Sequence, residues 1–338
     1  MVRLKTIDAH AAGEPLRLIV DGFPSPRGKT MLAKREWVKA NADHLRRALM
    51  LEPRGHADMY GALLTEPVSD GAHAGVLFMH NEGYSTMCGH GIVAVTTIAL
   101  ERGIIMPGGD GNQIVYDSPA GQILARARFR VGASGDGEAT RVESVMFLNV
   151  PSFVFEGGLS VKIGTRQVRA DVAFGGAFYA IVDCEAVGLP IDAPHLPELR
   201  RVGMEIKHAI EAAVTVAHPL EPGLAGIYGT IFTGPPSDER ADLRNVTIFA
   251  DAEVDRSPCG TGTAAVMAVV DAMGLLGADR PFVHESLIGT RFTGRVASRT
   301  TVGDFEAIVP EIEGSAWITG EHTFLVDEND PLKEGFRI

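Results

Sequence analysis

The chain has 338 residues, of which 45% are hydrophobic and 22% charged. That length and balance fit about two globular domains with a sizeable core, and they exclude disorder, collagen and coiled coil. Lys+Arg numbers 31 against 43 Asp+Glu, a net charge of −12, which argues against non-specific binding to nucleic acid and against docking on anionic lipid. The three cysteines, Cys88, Cys184 and Cys259, are too few for a disulfide scaffold. The start, Met1 to Asp8, has no apolar signal-like core. The longest apolar candidate, 263–276, is broken by Asp271, so no membrane span is expected. These features predict a soluble cytoplasmic enzyme.

In chain order, the pattern predicts a strand over 16–20, a surface helix over 34–51 and a strand over 75–79. Residues 92–100 are apolar nearly all round, the pattern of a helix buried in the middle of its domain. Strands follow over 122–128 and 145–150, with a glycine-rich hairpin or loop tip at 131–138 between them. Further strands are expected at 173–174, 178–182 and 245–250, and a second surface helix at 197–216. A second all-round apolar stretch covers 264–276.

The two apolar stretches open alike. Cys88-Gly-His-Gly-Ile-Val-Ala-Val-Thr-Thr-Ile-Ala-Leu-Glu-Arg-Gly103 and Cys259-Gly-Thr-Gly-Thr-Ala-Ala-Val-Met-Ala-Val-Val-Asp-Ala-Met-Gly274 share six of sixteen positions and start 171 residues apart. The repeat predicts two pseudo-duplicated lobes, each a sheet wrapped around one central buried helix. Residues 1–146 with 322–338 form the lobe carrying Cys88, and 147–321 the lobe carrying Cys259. Each helix ends at a glycine, as a C′ residue should.

A cysteine at a helix start meets unpaired backbone N–H groups and a positive partial charge, which lower a thiol from about 8.5 into the range of roughly 3.5–7.5. The same N–H groups suit a ligand carboxylate. Duplication is expected to set the two units face to face across an interlobe cleft. One thiolate then removes a proton from a carbon while one thiol delivers a proton to its other face, as stereoinversion requires. Other readings are weaker. Repetition at equivalent positions argues against two inert core cysteines. A cytoplasmic chain disfavours a Cys88–Cys259 disulfide. Cys88, His90 and Cys259 lack metal-ligand spacing and a clear fourth ligand, so no metal is expected. Gly260 to Ala265 and Gly89 to Ala94 fit the dinucleotide fingerprint formally, but 251–258 separates the second from its strand. Cys184 reads as buried and inert.

Glu82-Gly-Tyr-Ser-Thr-Met-Cys-Gly-His90 and Asp255-Arg-Ser-Pro-Cys-Gly-Thr-Gly262 resemble the two active-site signatures of the proline racemase family. Ala12-Gly-Glu-Pro15, Glu52-Pro-Arg-Gly55 and Phe174-Gly-Gly176 are similar to it as well. The resemblance implies an α+β, diaminopimelate-epimerase-like fold in which each lobe is a mostly antiparallel sheet or barrel around its helix. It implies no cofactor, a small-molecule substrate (proline or hydroxyproline) and, in many members, a homodimer. By the same resemblance Cys88 and Cys259 are the acid/base pair, while Gly89, His90, Asp255, Gly260 and Thr261 contact the substrate carboxylate and ring nitrogen. Asp255 also reads as a cap or turn residue, and His90 as a structural histidine at a helix start.

Three activities share this family: proline racemisation, 2-epimerisation of 4-hydroxyproline and dehydration of trans-3-hydroxy-L-proline. The first two need proton-transfer groups on opposite faces, and dehydratases typically carry Thr in place of the second cysteine. Position 259 is Cys, so a two-base racemase or epimerase is the leading expectation and the dehydratase its alternative. His56-Ala-Asp-Met-Tyr60, His80 to Thr86 and Gly175 to Ala180 look closer to the racemase and dehydratase branches than to 4-hydroxyproline epimerases. A silent amino-acid binder or a thiol redox sensor is the reading from a different class.

Overall fold

The structure, a computed structural model, describes residues 1–130, 141–277 and 280–337. The glycine-rich segment expected at 131–138 lies outside the described residues. Two compact units are present: Met1–Phe147 with the chain from Glu313 onward, and Leu148–Ile312.

In the first unit the chain runs β1 (Val2–Ala11), β2 (Glu14–Asp21), α1 (Met31–Asn41), α2 (Asp43–Met50), β3 (Tyr60–Thr65), β4 (Ala74–His80), β5 (Tyr84–Ser85), α3 (Gly89–Glu101), β6 (Gln113–Ser118), β7 (Gly121–Phe129) and β8 (Val142–Leu148). In the second it runs β9 (Ser152–Ile163), β10 (Arg166–Phe174), β11 (Phe178–Asp183), α4 (Cys184–Val187), α5 (Leu196–Ala213), β12 (Gly229–Gly234), β13 (Leu243–Phe249), β14 (Glu253–Asp255), α6 (Gly260–Ala272), β15 (Phe282–Glu285), β16 (Arg291–Val302) and β17 (Phe305–Gly314). The last strand, β18 (Ala316–Val326), pairs along the whole of β1, from Val2 opposite Val326 to Ala11 opposite Ala316.

The pairings repeat. In the first unit β18–β1 and β1–β2 are antiparallel, β2–β3 parallel, β3–β4 antiparallel, β4–β6 parallel and β6–β7 antiparallel. In the second, β9–β10 and β10–β11 are antiparallel, β11–β12 parallel, β12–β13 antiparallel, β13–β15 parallel and β15–β16 antiparallel. A short antiparallel hairpin, β4–β5 or β13–β14, precedes the central helix in each. Helix α3 packs on β18, β1, β2 and β7; α6 packs on the equivalent β9, β10, β11 and β16. The chain is thus α+β and sheet-dominated. Among the described residues no helix is long and apolar enough to cross a membrane.

The central helices are buried on every side. Ile92, Val93, Val95 and Ile98 are fully buried in α3, and each such side chain contributes about 1.5–3 kcal/mol. Gly103 and Gly274 take left-handed conformations just beyond the two helix ends (φ 62° and 71°), as expected of C′ residues. The helix predicted over 34–51 is two helices, α1 and α2, divided at Ala42 (φ −136°). Buried positions 31, 34, 38, 42, 45 and 49 keep helical spacing straight through the break, so periodicity could not reveal it. Asp43 starts the second helix and binds Arg46 at 2.7 Å.

Several family-like motifs turn out to have architectural work. Buried Arg17 pairs with Asp8 (2.8 Å), donates to the carbonyls of Leu49 and Arg54 (2.7 Å each) and lies over Phe324. It thereby ties Glu52-Pro-Arg-Gly55 to the sheet. Gly175 lies where a Cβ would come within 2.2 Å of the Thr261 carbonyl oxygen, so Phe174-Gly-Gly176 lets the β10–β11 turn press against α6.

Candidate active site

Each central helix is capped by a cysteine. In the first unit Cys88 is the N-cap of α3, with extended backbone (φ −145°), and its Sγ accepts from the Gly91 N–H at 3.2 Å. The second glycine of Cys-Gly-x-Gly is required there. A Cβ on Gly91 would meet the Phe78 ring at 2.4 Å and Cys88 Sγ at 3.0 Å. His90 turns its ring back on the thiol, with Nδ1 3.2 Å from Sγ. Tyr60 meets the His90 ring edge-on at 4.8 Å, stacks on His80 and hydrogen-bonds Ser85. Cys88, Gly89 and His90 are all buried. An imidazole in hydrogen-bond reach of a thiol is the arrangement that generates a thiolate nucleophile or base.

In the second unit Cys259 caps α6, and its Sγ accepts from the Gly262 N–H at 3.3 Å. A Cβ on Gly262 would meet that sulfur and Ile231 at 2.9 Å each. The surroundings differ from those of Cys88. Hydroxyls stand in place of the imidazole: Tyr179 Oη and Thr261 Oγ1 each lie 3.7 Å from Sγ and 2.7 Å from one another. Asp255 accepts from the N–H and hydroxyl of Ser257 (2.8 and 2.6 Å), and Ser257 Oγ accepts the Cys259 N–H at 3.1 Å. Gly260 and Thr261 form the buried first turn.

Burial pushes the Cys259 thiol well above its usual range, and the Asp255 carboxylate pushes the same way, against weaker hydrogen bonds from Tyr179, Gly262 and Thr261. The sequence expectation of a lowered thiol is therefore reversed at Cys259. Desolvation outweighs the helix terminus because the sulfur is shut off from water. Tyr179 is likewise raised, first by burial and then by Cys259. Cys184 is buried, as expected, and its thiol is raised by desolvation and by Asp183 and Glu185.

Within the first unit the structure brings Cys88, Gly89 and His90 together, and within the second Asp255, Cys259, Gly260 and Thr261. Sequence reasoning gave no role to Tyr60, Ser85, Tyr179 or Ser257, although each lies in a segment it quoted. Tyr179 lies four residues past Gly175, inside a segment already singled out, but strand alternation alone does not say which sulfur a strand residue faces. β5 intervenes between β4 and α3, and β14 between β13 and α6, so neither glycine cluster directly follows the strand that the dinucleotide fingerprint requires.

Residues 6–337 match the family described as proline racemase. A trans-3-hydroxy-L-proline dehydratase of Bacillus cereus is 50% identical over 98% of this chain and 97% of its own. A 3-hydroxyproline 2-epimerase of Burkholderia multivorans is 45% identical over 99% of this chain and 98% of its own. Among solved structures, a hydroxyproline epimerase from Agrobacterium vitis, with bound trans-4-hydroxy-L-proline, superposes with a TM-score of 0.89 at 31% identity, covering 100% of this chain and 97% of that one.

Proposed function

The chain belongs to the proline racemase family, and from that premise we propose that it dehydrates trans-3-hydroxy-L-proline, with Cys88 taking the Cα proton. The cysteine at 259 put two-base inversion first in the sequence reading. The name carried by the 50%-identical relative reverses that order. The carrying observation within the molecule is the inequality of the two thiols: Cys88 has an imidazole at 3.2 Å, whereas Cys259 is a raised thiol among hydroxyls.

The stereochemistry fits one primed base. In trans-3-hydroxy-L-proline the hydroxyl is trans to the carboxylate, so it shares a ring face with the Cα hydrogen. The Cys88 thiolate removes that hydrogen as a proton, and His90, protonated, balances its charge. The C–H electron pair becomes the Cα–C3 double bond as the C3–O bond breaks. Oxygen leaves as water, carrying a proton from the Cys88 thiol or the His90 imidazolium on the same face. The enamine so formed, with its Cα–C3 double bond, gains a proton at C3 and loses one from nitrogen to give the imine 1-pyrroline-2-carboxylate, and no base on the opposite face is consumed. Backbone N–H groups at the start of α3, those of Gly89 and His90, stabilise charge on the carboxylate. For Gly260, Thr261 and Asp255 the family resemblance implies contacts with the substrate carboxylate and ring nitrogen.

The test is a substrate panel of L-proline, D-proline, trans-4-hydroxy-L-proline and trans-3-hydroxy-L-proline in D2O. The imine is trapped by borohydride as proline, and Cα deuterium is read in the remaining substrate. Imine is expected from the 3-hydroxy compound. Cys88→Ser loses about 10²–10⁴-fold, while Cys259→Ser keeps elimination within about tenfold. Cα deuterium in an inverted product with no imine from any substrate sinks the dehydratase reading.

Inversion is the second reading, favoured by the 45%-identical relative named as an epimerase. Epimerisation of 3-hydroxyproline consumes a proton donor on the face opposite the base. A buried neutral thiol, the form in which Cys259 is held, is such a donor. Cys259→Ser then abolishes inversion.

A further inference from the structure

The two helix caps differ in backbone conformation. Cys88 enters α3 extended, whereas Cys259 enters α6 at φ 61°, ψ 108°. That is a conformation an L residue with a Cβ adopts only when its surroundings impose it. The restraints on Cys259 are local. Its N–H is bound to Ser257 Oγ at 3.1 Å, and its carbonyl accepts the Thr263 N–H at 2.6 Å. The carbonyl just before it, on Pro258, takes two hydrogen bonds: Asn245 Nδ2 at 2.9 Å and Thr263 Oγ1 at 3.2 Å.

Proton counting orders this cluster. The Thr263 hydroxyl has one proton, and the Pro258 carbonyl can only accept, so that proton points to Pro258. The second contact of Thr263 Oγ1, His284 Nδ1 at 2.9 Å, is then donated by the imidazole. Nε2 is left bare, and among the described residues it has no hydrogen-bond partner. Burial pushes His284 down to about 3, so the ring stays neutral and in this tautomer. A buried polar atom without a partner is costly, and here its other nitrogen fixes the rotation of the Thr263 hydroxyl. The sheet delivers both partners to this spot: Leu243 of β13 pairs with His284 of β15, placing Asn245 two residues along the neighbouring strand. At the position equivalent to Thr263, α3 has Ile92, with no hydroxyl to offer.

We propose that Thr263, oriented by His284, is a positioning residue that holds Cys259 in its left-handed conformation and thereby fixes the first turn of α6. The inference rests on the reading of that turn as part of the substrate site, but its decisive readout needs no turnover. Iodoacetamide labelling of Cys259 and Cys88 is followed in one sample by peptide mass spectrometry, with Cys88 as internal reference. In Thr263→Val the Gly262 N–H loses its aim at Sγ, and the Cys259-to-Cys88 labelling ratio falls about tenfold. Thr263→Ser, which keeps the hydroxyl, restores the ratio. His284→Asn, which keeps a donor, stays near wild type, and His284→Phe matches Thr263→Val. KM for trans-3-hydroxy-L-proline rises about tenfold in Thr263→Val. A ratio within twofold of wild type in both Thr263→Val and His284→Phe overturns the proposal. So does a parallel loss at both cysteines, or a serine variant as impaired as the valine. If wild-type protein turns over none of the hydroxyprolines while the ratio still falls and serine restores it, the functional reading fails and this inference stands.

Discussion

Gly175→Ala is the smallest change that tests whether the β10–β11 turn fixes the start of α6. The new Cβ would lie 2.2 Å from the Thr261 carbonyl oxygen, 2.6 Å from the Ala265 nitrogen and 3.2 Å from the Ala264 carbonyl carbon. Ordinary contact begins at 3.4 Å, so turn and helix must part by about 1.2 Å. No flexible side chain absorbs this, because all three neighbours are backbone atoms. The turn is itself tied down: Asn149 donates to the Gly175 carbonyl at 2.9 Å, and the Gly175 N–H binds the Ala177 carbonyl at 3.0 Å. Overpacking of this kind costs about 1–3 kcal/mol, or about 3–10 °C in Tm for a unit of this size. The displacement falls on the turn carrying Cys259, Gly260 and Thr261. A 1 Å misplacement there costs about 100-fold in kcat/KM. The assay pairs thermal unfolding with borohydride-trapped product formation. Gly83→Ala, where a Cβ meets nothing within 4 Å, is the matched control. Wild-type Tm and wild-type turnover in Gly175→Ala would refute the close approach.

Arg17→Met strands the Asp8 carboxylate and the Leu49 and Arg54 carbonyls, so urea unfolding should show a loss of about 3–5 kcal/mol; a loss below about 1 kcal/mol would mean the ion pair does not anchor its loop. His284 is neutral and buried in the native state but takes a proton with an ordinary pKa of 6.5 when unfolded. Its contribution is therefore complete above about pH 6.5 and is lost as pH falls toward about 3, by about 1.4 kcal/mol per pH unit. Urea curves at pH 7 and pH 4.5 should show wild type losing more stability than His284→Asn, and parallel losses would contradict a buried neutral ring. Planar pyrrole-2-carboxylate, which mimics a flattened Cα, should slow iodoacetamide labelling of Cys88; unchanged labelling at saturating analogue would remove Cys88 from the substrate site.

Much of the architecture could be read without coordinates. The repeated Cys-Gly-x-Gly and the all-round apolar stretches after it identify two central helices, because only a helix buried on every side dispenses with a polar face. Glycines at 103 and 274 mark their ends for the same local reason, the left-handed C′ residue. The break at Ala42 was illegible, since hydrophobic spacing continues unbroken across it.

Sequence alone determined that two cysteines begin two equivalent helices, because capping, glycine spacing and apolar pattern are properties of a few adjacent residues. Only the tertiary structure decided that the two are unequal. His90 is two residues from Cys88 and could be foreseen. Tyr179 comes to Cys259 from 80 positions away, and His284 reaches Thr263 of α6 from strand β15. Desolvation likewise depends on everything packed around the sulfur, so whether a thiol at a helix start is lowered or raised is set by the fold and not by its neighbours in the chain.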